Sequence, residues 1–218
     1  KILHMCQKWM YSKSNLMKVI EQLLASAGIS PIAGVDEAGR GACAGPLVIA
    51  SVVLHDPFAP ELAVVRDSKE IPENKRDAIF ELIHRIAASV SVVIVPASEV
   101  DSRGVHAANL DGMRRAVQGL SIEPAYVLTD GYAIEGLGVP NLAVWKGDQV
   151  VVSISAASVI AKVTRDRIMR EMDLEFPQYG FAGHKGYITA AHTKALNEHG
   201  PCPEHRTSFA NVAALIHK

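Results

Sequence analysis

Two early apolar runs framing a polar, glycine-rich turn constrain this chain more than any other feature. Residues 32–35 are apolar. Residues 36–45 follow with two acids, an arginine and three glycines, and then comes the strongly β run from Leu47 to Leu54. Such a pattern reads as strand, turn, strand. Farther along, residues 90–95 form a β-branched run expected to be a buried strand. Short strands are expected at residues 126–129, ending at Asp130-Gly131, and at residues 141–145, ending at Lys146-Gly147-Asp148.

Helical spacing separates these strands. Residues 12–27 place Leu16, Val19, Ile20, Leu23 and Leu24 on one face, with Gly28 as cap. Pro72 opens a helix with Ile79, Leu82, Ile83 and Ile86 inward. Residues 101–119 read as one helix, though Gly104 and Gly112 weaken it. Residues 155–174 carry the strongest helical pattern, and a short helix is expected near 189–198. An early hairpin followed by strands alternating with helices gives an α/β fold, a mixed sheet covered on both faces with a helical C-terminal extension. The expected division is an N-terminal helical extension (1–30) and a catalytic domain (31–218) whose helical part begins at about 175.

Composition excludes several classes. Of 218 residues, 49% are hydrophobic and only 6% aromatic, so the core is expected to be aliphatic. No apolar run reaches the roughly 18 residues of a membrane span, and no secretory h-region is expected. Three widely spaced cysteines, Cys6, Cys43 and Cys202, argue for a reducing compartment, hence the cytoplasm. The net charge of −1 is not that of a strongly basic nucleic-acid binder.

Four acids stand at strand ends: Asp36 and Glu37 after the first apolar run, Asp130 before a glycine, and Asp148 after one. Each alone is most simply a solvated turn residue. Together, at the strand ends where α/β proteins place their sites, they suit a hard divalent cation, Mg²⁺ or Mn²⁺. Two such ions form the clamp used for in-line displacement at phosphorus. Setting these four acids aside leaves the rest of the chain at +3. Adjacent strand residues face opposite ways, so for Asp36 and Glu37 to share a site the strand is expected to end or distort there.

The glycines of Gly39-Arg40-Gly41 through Gly45 do not fit a dinucleotide loop, because a β run follows where a helix is required. A glycine-flanked arginine instead lets the backbone approach a phosphodiester and its sugar. His199-x-x-Cys202-x-x-His205 lacks a fourth zinc ligand and is read as a polar loop. The histidines from His184 onward are read as hydrogen-bonding and surface groups, Asp166 as an ion-pair partner, and Cys43 as no nucleophile.

The segment from Ala33 to Gly41 (AGVDEAGRG), with Ala44-Gly45-Pro46 behind it, resembles the opening motif of ribonuclease HII, the type 2 ribonuclease H family. The resemblance continues through Asp67-Ser68-Lys69, the YVLTDG of 126–131, Lys146-Gly147-Asp148 and the helix from Ser155 to Asp166. It closes with FPQYGF (176–181), HKGY (184–187) and HRTSF (205–209). It implies a ribonuclease H-like mixed five-stranded sheet with a helical C-terminal part. It also implies that Asp36, Glu37, Asp130 and Asp148 are catalytic metal ligands for two Mg²⁺ or Mn²⁺ ions. By the same resemblance, Gly39, Arg40 and Gly41 recognise the ribonucleotide 2′-hydroxyl, Tyr187 stacks on the neighbouring sugar, and Lys69, Lys146, Lys162 and Lys185 lie near phosphates.

The function implied is an endoribonuclease that cuts the RNA strand of RNA–DNA hybrids and cuts 5′ of single ribonucleotides in duplex DNA, leaving 3′-hydroxyl and 5′-phosphate ends. Its partners are nucleic acid and the replication or repair machinery, with no membrane, and it is expected to be a monomer. A ribonuclease HIII-like hybrid nuclease, a catalytically silent nucleic-acid-binding module on the same fold, and a small-molecule phosphatase remain the alternatives.

Overall fold

The strongly β run becomes strand β2 (Leu47–Leu54), with no exposed residue. In the computed structural model, which describes residues 19–65 and 71–216, β2 lies between β1 (Ile32–Ala38) and β3 (Ala87–Val95). Two further strands, β4 (Tyr126–Asp130) and β5 (Asn141–Val144), complete a five-stranded sheet in the order β3-β2-β1-β4-β5. β1 pairs antiparallel with β2 and parallel with β4, and β4 pairs parallel with β5. The carboxyl ends of β1, β4 and β5 therefore share one edge.

Alternate residues of β2 explain why all of it but Ser51 is apolar. Val48, Ala50, Val52 and Leu54 pack against α2 (Glu73–Ile86) and the long helix α6 (Val152–Glu175). Leu47, Ile49 and Val53 pack on the opposite face against α4 (Val105–Gln118). The first half of α6 is buried on every side. Its start presses on β1, where a Cβ on Gly34 would lie 2.1 Å from the Ser153 carbonyl carbon. α1 (Val19–Ser26) rests on the β4–β5 side through Ile20 and Leu24. The start of the expected helix, with Leu16, lies outside the described residues, as do Cys6 and Lys69.

Three expectations are corrected. β3 is an edge strand, not a buried one, with Val92 37% and Ile94 50% exposed, because topology leaves it a single neighbour. Residues 101–119 are two helices, α3 (Ala97–Arg103) and α4, parted at Gly104, whose φ of 79° no regular helix contains. β1 neither ends nor distorts at Asp36. Its register with β2 runs on through Glu37↔Ile49 and Ala38↔Val48, while the parallel ladder with β4 stops at Val35↔Thr129. One side of β1 is thus held and the other left open at the acids.

After the short α5 (Gly147–Val150) and α6, the C-terminal part holds α7 (Phe181–His184), α8 (Ala190–His199) and α9 (Ala210–Ile216). Its core takes in Cys43 and Ala44 from the early turn and Met169 from α6. Cys43 and Cys202 are free thiols. Among the described residues no helix is long and apolar enough to cross a membrane.

Candidate active site

Two adjoining grooves open at the shared sheet edge. One is lined by Asp36, Glu37, Asp130, Gly39, Arg40, Gly41, Ser158, Lys162 and Tyr187. The other is lined by Glu37, Arg40, Asp130, Asp148, Lys146, Tyr132, Trp145 and Gln149. Glu37, Arg40 and Asp130 belong to both, so the four acids border one continuous surface.

Asp36 is buried, and one of its oxygens accepts the Glu37 backbone N–H at 2.7 Å. Burial, followed by the charges of Glu37 and Asp130, pushes its carboxyl well above the usual range. The Ser158 hydroxyl and the Glu37 N–H, both donating to it, pull the other way. Asp130 Oδ1 accepts the Gly147 N–H at 2.7 Å, which ties the end of β4 to the start of α5 and to the buried Asp148. Among the described residues, no three His, Cys, Asp or Glu side chains stand close enough to close on a metal ion as they lie. The donor set nevertheless fits a hard cation. Its oxygens are carboxylates, and the repulsion that Asp36 bears is what a divalent charge relieves.

The turn beside the acids is held from behind by two buried arginines that the sequence reading missed. Arg165 donates to the carbonyl oxygens of Pro46 (2.9 Å), Ala44 (3.1 Å) and Lys185 (2.9 Å). Arg206 donates to those of Gly45 (2.9 and 3.1 Å) and Arg40 (3.2 Å). Gly39 is required where Arg165 passes. Its φ is 87°, and a Cβ there would lie 1.9 Å from Arg165 Nε. The Arg40 guanidinium sits 4.6 Å over the Tyr132 ring. Tyr187, 39% exposed, faces the first groove, with Arg165 5.5 Å from its ring centre. Charged residues are rarely this buried, which is why sequence alone pointed to neither arginine.

The lysines divide. Lys162 lines the first groove but pairs with Asp166 at 2.6 Å, and Asp166 is also met by Arg76 at 3.6 Å, as its ion-pair reading requires. Burial lowers the Lys162 amine, against the pull of Asp166. Lys146 lines the second groove. The Lys185 amine donates to the Ala182 carbonyl and lies 3.6 Å from Glu73, and Lys185 lines neither groove.

The histidines do not all lie at the surface. His192 and His205 are buried in the C-terminal core, their Nε2 atoms 3.0 Å apart. No metal cluster forms at His199, Cys202 and His205, and His205 Nδ1 accepts the Cys202 N–H at 3.0 Å instead. Cys43 lies 3.7 Å from His192, but burial pushes its thiol up, away from the thiolate a nucleophile needs. A further residue escaped the sequence. Glu21 of α1 is fully buried and accepts the N–H groups of Val152 and Ser153, both at 3.0 Å, at the start of α6.

A family model described as ribonuclease HII matches residues 33–212. A ribonuclease HII of Acidothermus cellulolyticus is 58% identical over 192 residues, covering 88% of this chain and 62% of that protein. One from Mycolicibacterium smegmatis is 56% identical, covering 92% of this chain and 74% of that protein. Among solved structures, ribonuclease H2 from Pyrococcus horikoshii superposes with a TM-score of 0.75 at 26% identity, covering 86% of this chain and 98% of that one. The ribonuclease HII in a PCNA complex from Archaeoglobus fulgidus gives 0.71 at 26%, covering 83% and 95%. A Bst-RNase HIII in complex with Mn²⁺ gives 0.63 at 17% identity, a likeness of fold alone, covering 89% and 72%.

Proposed function

The chain belongs to the ribonuclease HII family of metal-dependent endoribonucleases, and from that premise we propose that it cleaves the RNA strand of RNA–DNA hybrids and cuts 5′ of single ribonucleotides in duplex DNA. The products carry 3′-hydroxyl and 5′-phosphate ends. One observation carries this reading: three of the four acids share a groove with Gly39, Arg40, Gly41 and Tyr187. A group that cuts phosphodiesters and a group that reads a sugar then act on one nucleotide.

Asp36, Glu37, Asp130 and Asp148 hold two Mg²⁺ or Mn²⁺ ions in this reading. The chemistry such ions supply is a lowered pKa for the attacking water and relief of charge on the leaving 3′-oxygen. The backbone of Gly39 and Gly41 meets the 2′-hydroxyl, with the turn held by Arg165 and Arg206. Tyr187 stacks on the sugar that follows. Lys146 and Lys162 border the grooves where phosphates lie, and Lys69 and Lys185 are assigned to phosphates by the family motif alone. The catalytic domain is residues 31–218, and it works as a monomer in the cytoplasm. The Archaeoglobus relative in complex with PCNA supports recruitment by the replication or repair machinery.

Cleavage of labelled duplexes tests the reading. One duplex carries a single ribonucleotide, a second a long RNA tract. A cut 5′ of the lone ribonucleotide is expected, with a preference for a ribonucleotide followed by DNA over one followed by RNA. Tyr187→Ala should weaken the junction substrate most, by about 5- to 150-fold on the scale of base-stacking losses of about 1–3 kcal/mol. An unchanged ratio between the two substrates, with a lowered Tm, would make Tyr187 structural. Cleavage of the long tract alone would refute the single-ribonucleotide activity.

A further inference from the structure

Behind Tyr187, three histidines form a connected set that nothing in the proposed chemistry uses. Their protonation states follow from who donates to whom. The Cys202 backbone N–H donates to His205 Nδ1 at 3.0 Å, so a neutral His205 carries its proton on Nε2. That Nε2–H points at His192 Nε2, 3.0 Å away, which must then accept. His192 therefore carries its proton on Nδ1, and this donates to the Tyr187 carbonyl oxygen at 3.0 Å. His184 fits the same logic. Its Nδ1 accepts the Gly186 N–H at 3.2 Å, leaving Nε2–H to donate to the Tyr179 carbonyl at 2.8 Å. The His184 ring stacks on His192 with centres 4.2 Å apart and planes 12° apart.

Every ring nitrogen of the set thus has one role, and each role depends on the next. A second proton on the His192–His205 pair would set two N–H groups against each other at 3.0 Å. The chain of bonds ends on the backbone of the residue whose ring faces the groove. It also begins beside the turn. His205 forms a β-bridge with Ala44, the Arg206 N–H donates to the Cys43 carbonyl at 2.8 Å, and the Cys43 N–H donates to the Gly186 carbonyl at 3.0 Å. The dipeptide His205-Arg206 therefore braces both sugar-facing elements. Its histidine supports the Tyr187 segment, and its arginine supports the Gly39-Arg40-Gly41 turn.

We propose that His192 and His205 are positioning residues for Tyr187, a relay of neutral imidazoles that runs from the Cys202 N–H to the Tyr187 carbonyl and fixes the ring's place over the sugar. The proposal rests on the reading of Tyr187 as the sugar-stacking residue. The relay does no chemistry. It sets how sharply the enzyme distinguishes a deoxyribose from a ribose after the cut.

Two measurements test it. Nitrogen-15 NMR of the histidines in the whole chain reads the tautomers directly. The relay requires His192 in the less common Nδ1–H form, with His184 and His205 in the Nε2–H form; an Nε2–H tautomer at His192 overturns it. Substitution then tests the effect on specificity. In His192→Asn the side-chain amide takes the place of Nδ1 and keeps the donor to Tyr187. In His192→Gln the amide takes the place of Nε2, and that donor is lost. The junction-to-RNA cleavage ratio is expected to stay near wild type in His192→Asn and to fall about fivefold in His192→Gln, the lower end of a lost stacking contact. A wild-type ratio in His192→Gln, or equal loss in both variants, overturns the relay. Tyr187→Ala run alongside separates the two readings. If it alters the ratio while His192→Gln does not, the relay alone is wrong. If it leaves the ratio unchanged, the reading of Tyr187 fails and the relay's role fails with it. Should His192→Gln not fold, the wild-type tautomers still decide.

Discussion

The acid edge and the turn from Gly39 to Pro46, which the proposed function sets against the sugar, share one groove but are built by different means. Asp36, Glu37 and Asp130 are placed by topology, near the carboxyl ends of parallel strands, and Asp148 by the short α5 that follows β5; their bonds include backbone N–H groups, from Glu37 and Gly147. The turn from Gly39 to Pro46 is placed by segments more than a hundred residues away, through Arg165 and Arg206. Charge is positioned by the sheet, and shape is positioned by buried cations that satisfy carbonyl groups. Losses in the first half should therefore fall on catalysis and leave the fold intact. Losses in the second should fall on stability and specificity together.

The largest effect is expected from Asp130→Asn. The side-chain oxygen still accepts the Gly147 N–H, so the fold has no reason to weaken, and repulsion on Asp36 eases. Turnover should drop by at least about 10³-fold, as when a metal-stabilised transition state loses a ligand. Duplex binding should survive. Near-normal turnover in saturating Mg²⁺ would break the assignment of the acid edge.

Arg206→Met sharpens the comparison from the other side. It keeps the apolar stem and leaves the Gly45 and Arg40 carbonyls without their donor. A cost of about 3 kcal/mol is expected for stranding buried acceptors, and the Tm falls by roughly 6–12 °C in a domain of this size. Mg²⁺ binding at the acids, measured by calorimetry, should be unchanged. A wild-type Tm would show that the turn holds itself.

The same division decides what was legible in the sequence. The acids stood out because strand runs and glycines punctuate them, and strand ends are read from local pattern. So were β2 and the body of α6. The course of β1 through Asp36 and Glu37 was not, because it depends on where β4 stops pairing. β3 read as buried because its residues are β-branched, and only the strand order makes it an edge. Arg165 and Arg206 hold carbonyl groups more than a hundred residues away and belong to a type usually exposed, while His192 and His205, though near each other in sequence, are of a type as often exposed as buried, so no local signal marks any of the four. For Lys185 the motif gave the residue and not its neighbours. The structure directs its amine to Ala182 and Glu73.

Glu21 is the point where the acid half also depends on a distant segment. Val151, which precedes α6, supplies no side-chain cap, and the carboxylate of Glu21 takes the first two N–H groups in its place. α6 carries Ser158 to Asp36, so α1 reaches the acid edge through this cap. Glu21→Gln removes the charge and one of two acceptors. The expected cost is about 1–2 kcal/mol, the range of a lost helix cap with its dipole contribution. Urea unfolding measures it. A loss below a few tenths would mean that packing of Ile20 and Leu24, and not the cap, seats α1.

The smallest effect concerns pH and belongs to the sugar-facing half. Burial, then the neighbouring His192, pushes the His205 imidazole down to about 4 from an ordinary value of 6.5. His184, Tyr179 and Cys202 also face it, and the native state leaves it neutral. The unfolded chain takes up a proton near pH 6.5 that the folded chain refuses until about 4. Stability from this residue is thus fully present above pH 6.5 and is lost as the pH falls through that window, by less than about 1 kcal/mol between pH 7.5 and 6. Asp36 acts with the opposite sign, since its raised carboxyl lets the folded state hold a proton that the unfolded chain releases. That contribution is common to wild type and His205→Gln and cancels between them. Urea unfolding of both proteins at pH 7.5 and pH 6 should show a steeper loss in the wild type. Parallel slopes would mean that His205 titrates as freely folded as unfolded, and that the sugar-facing half owes its rigidity to the arginines alone.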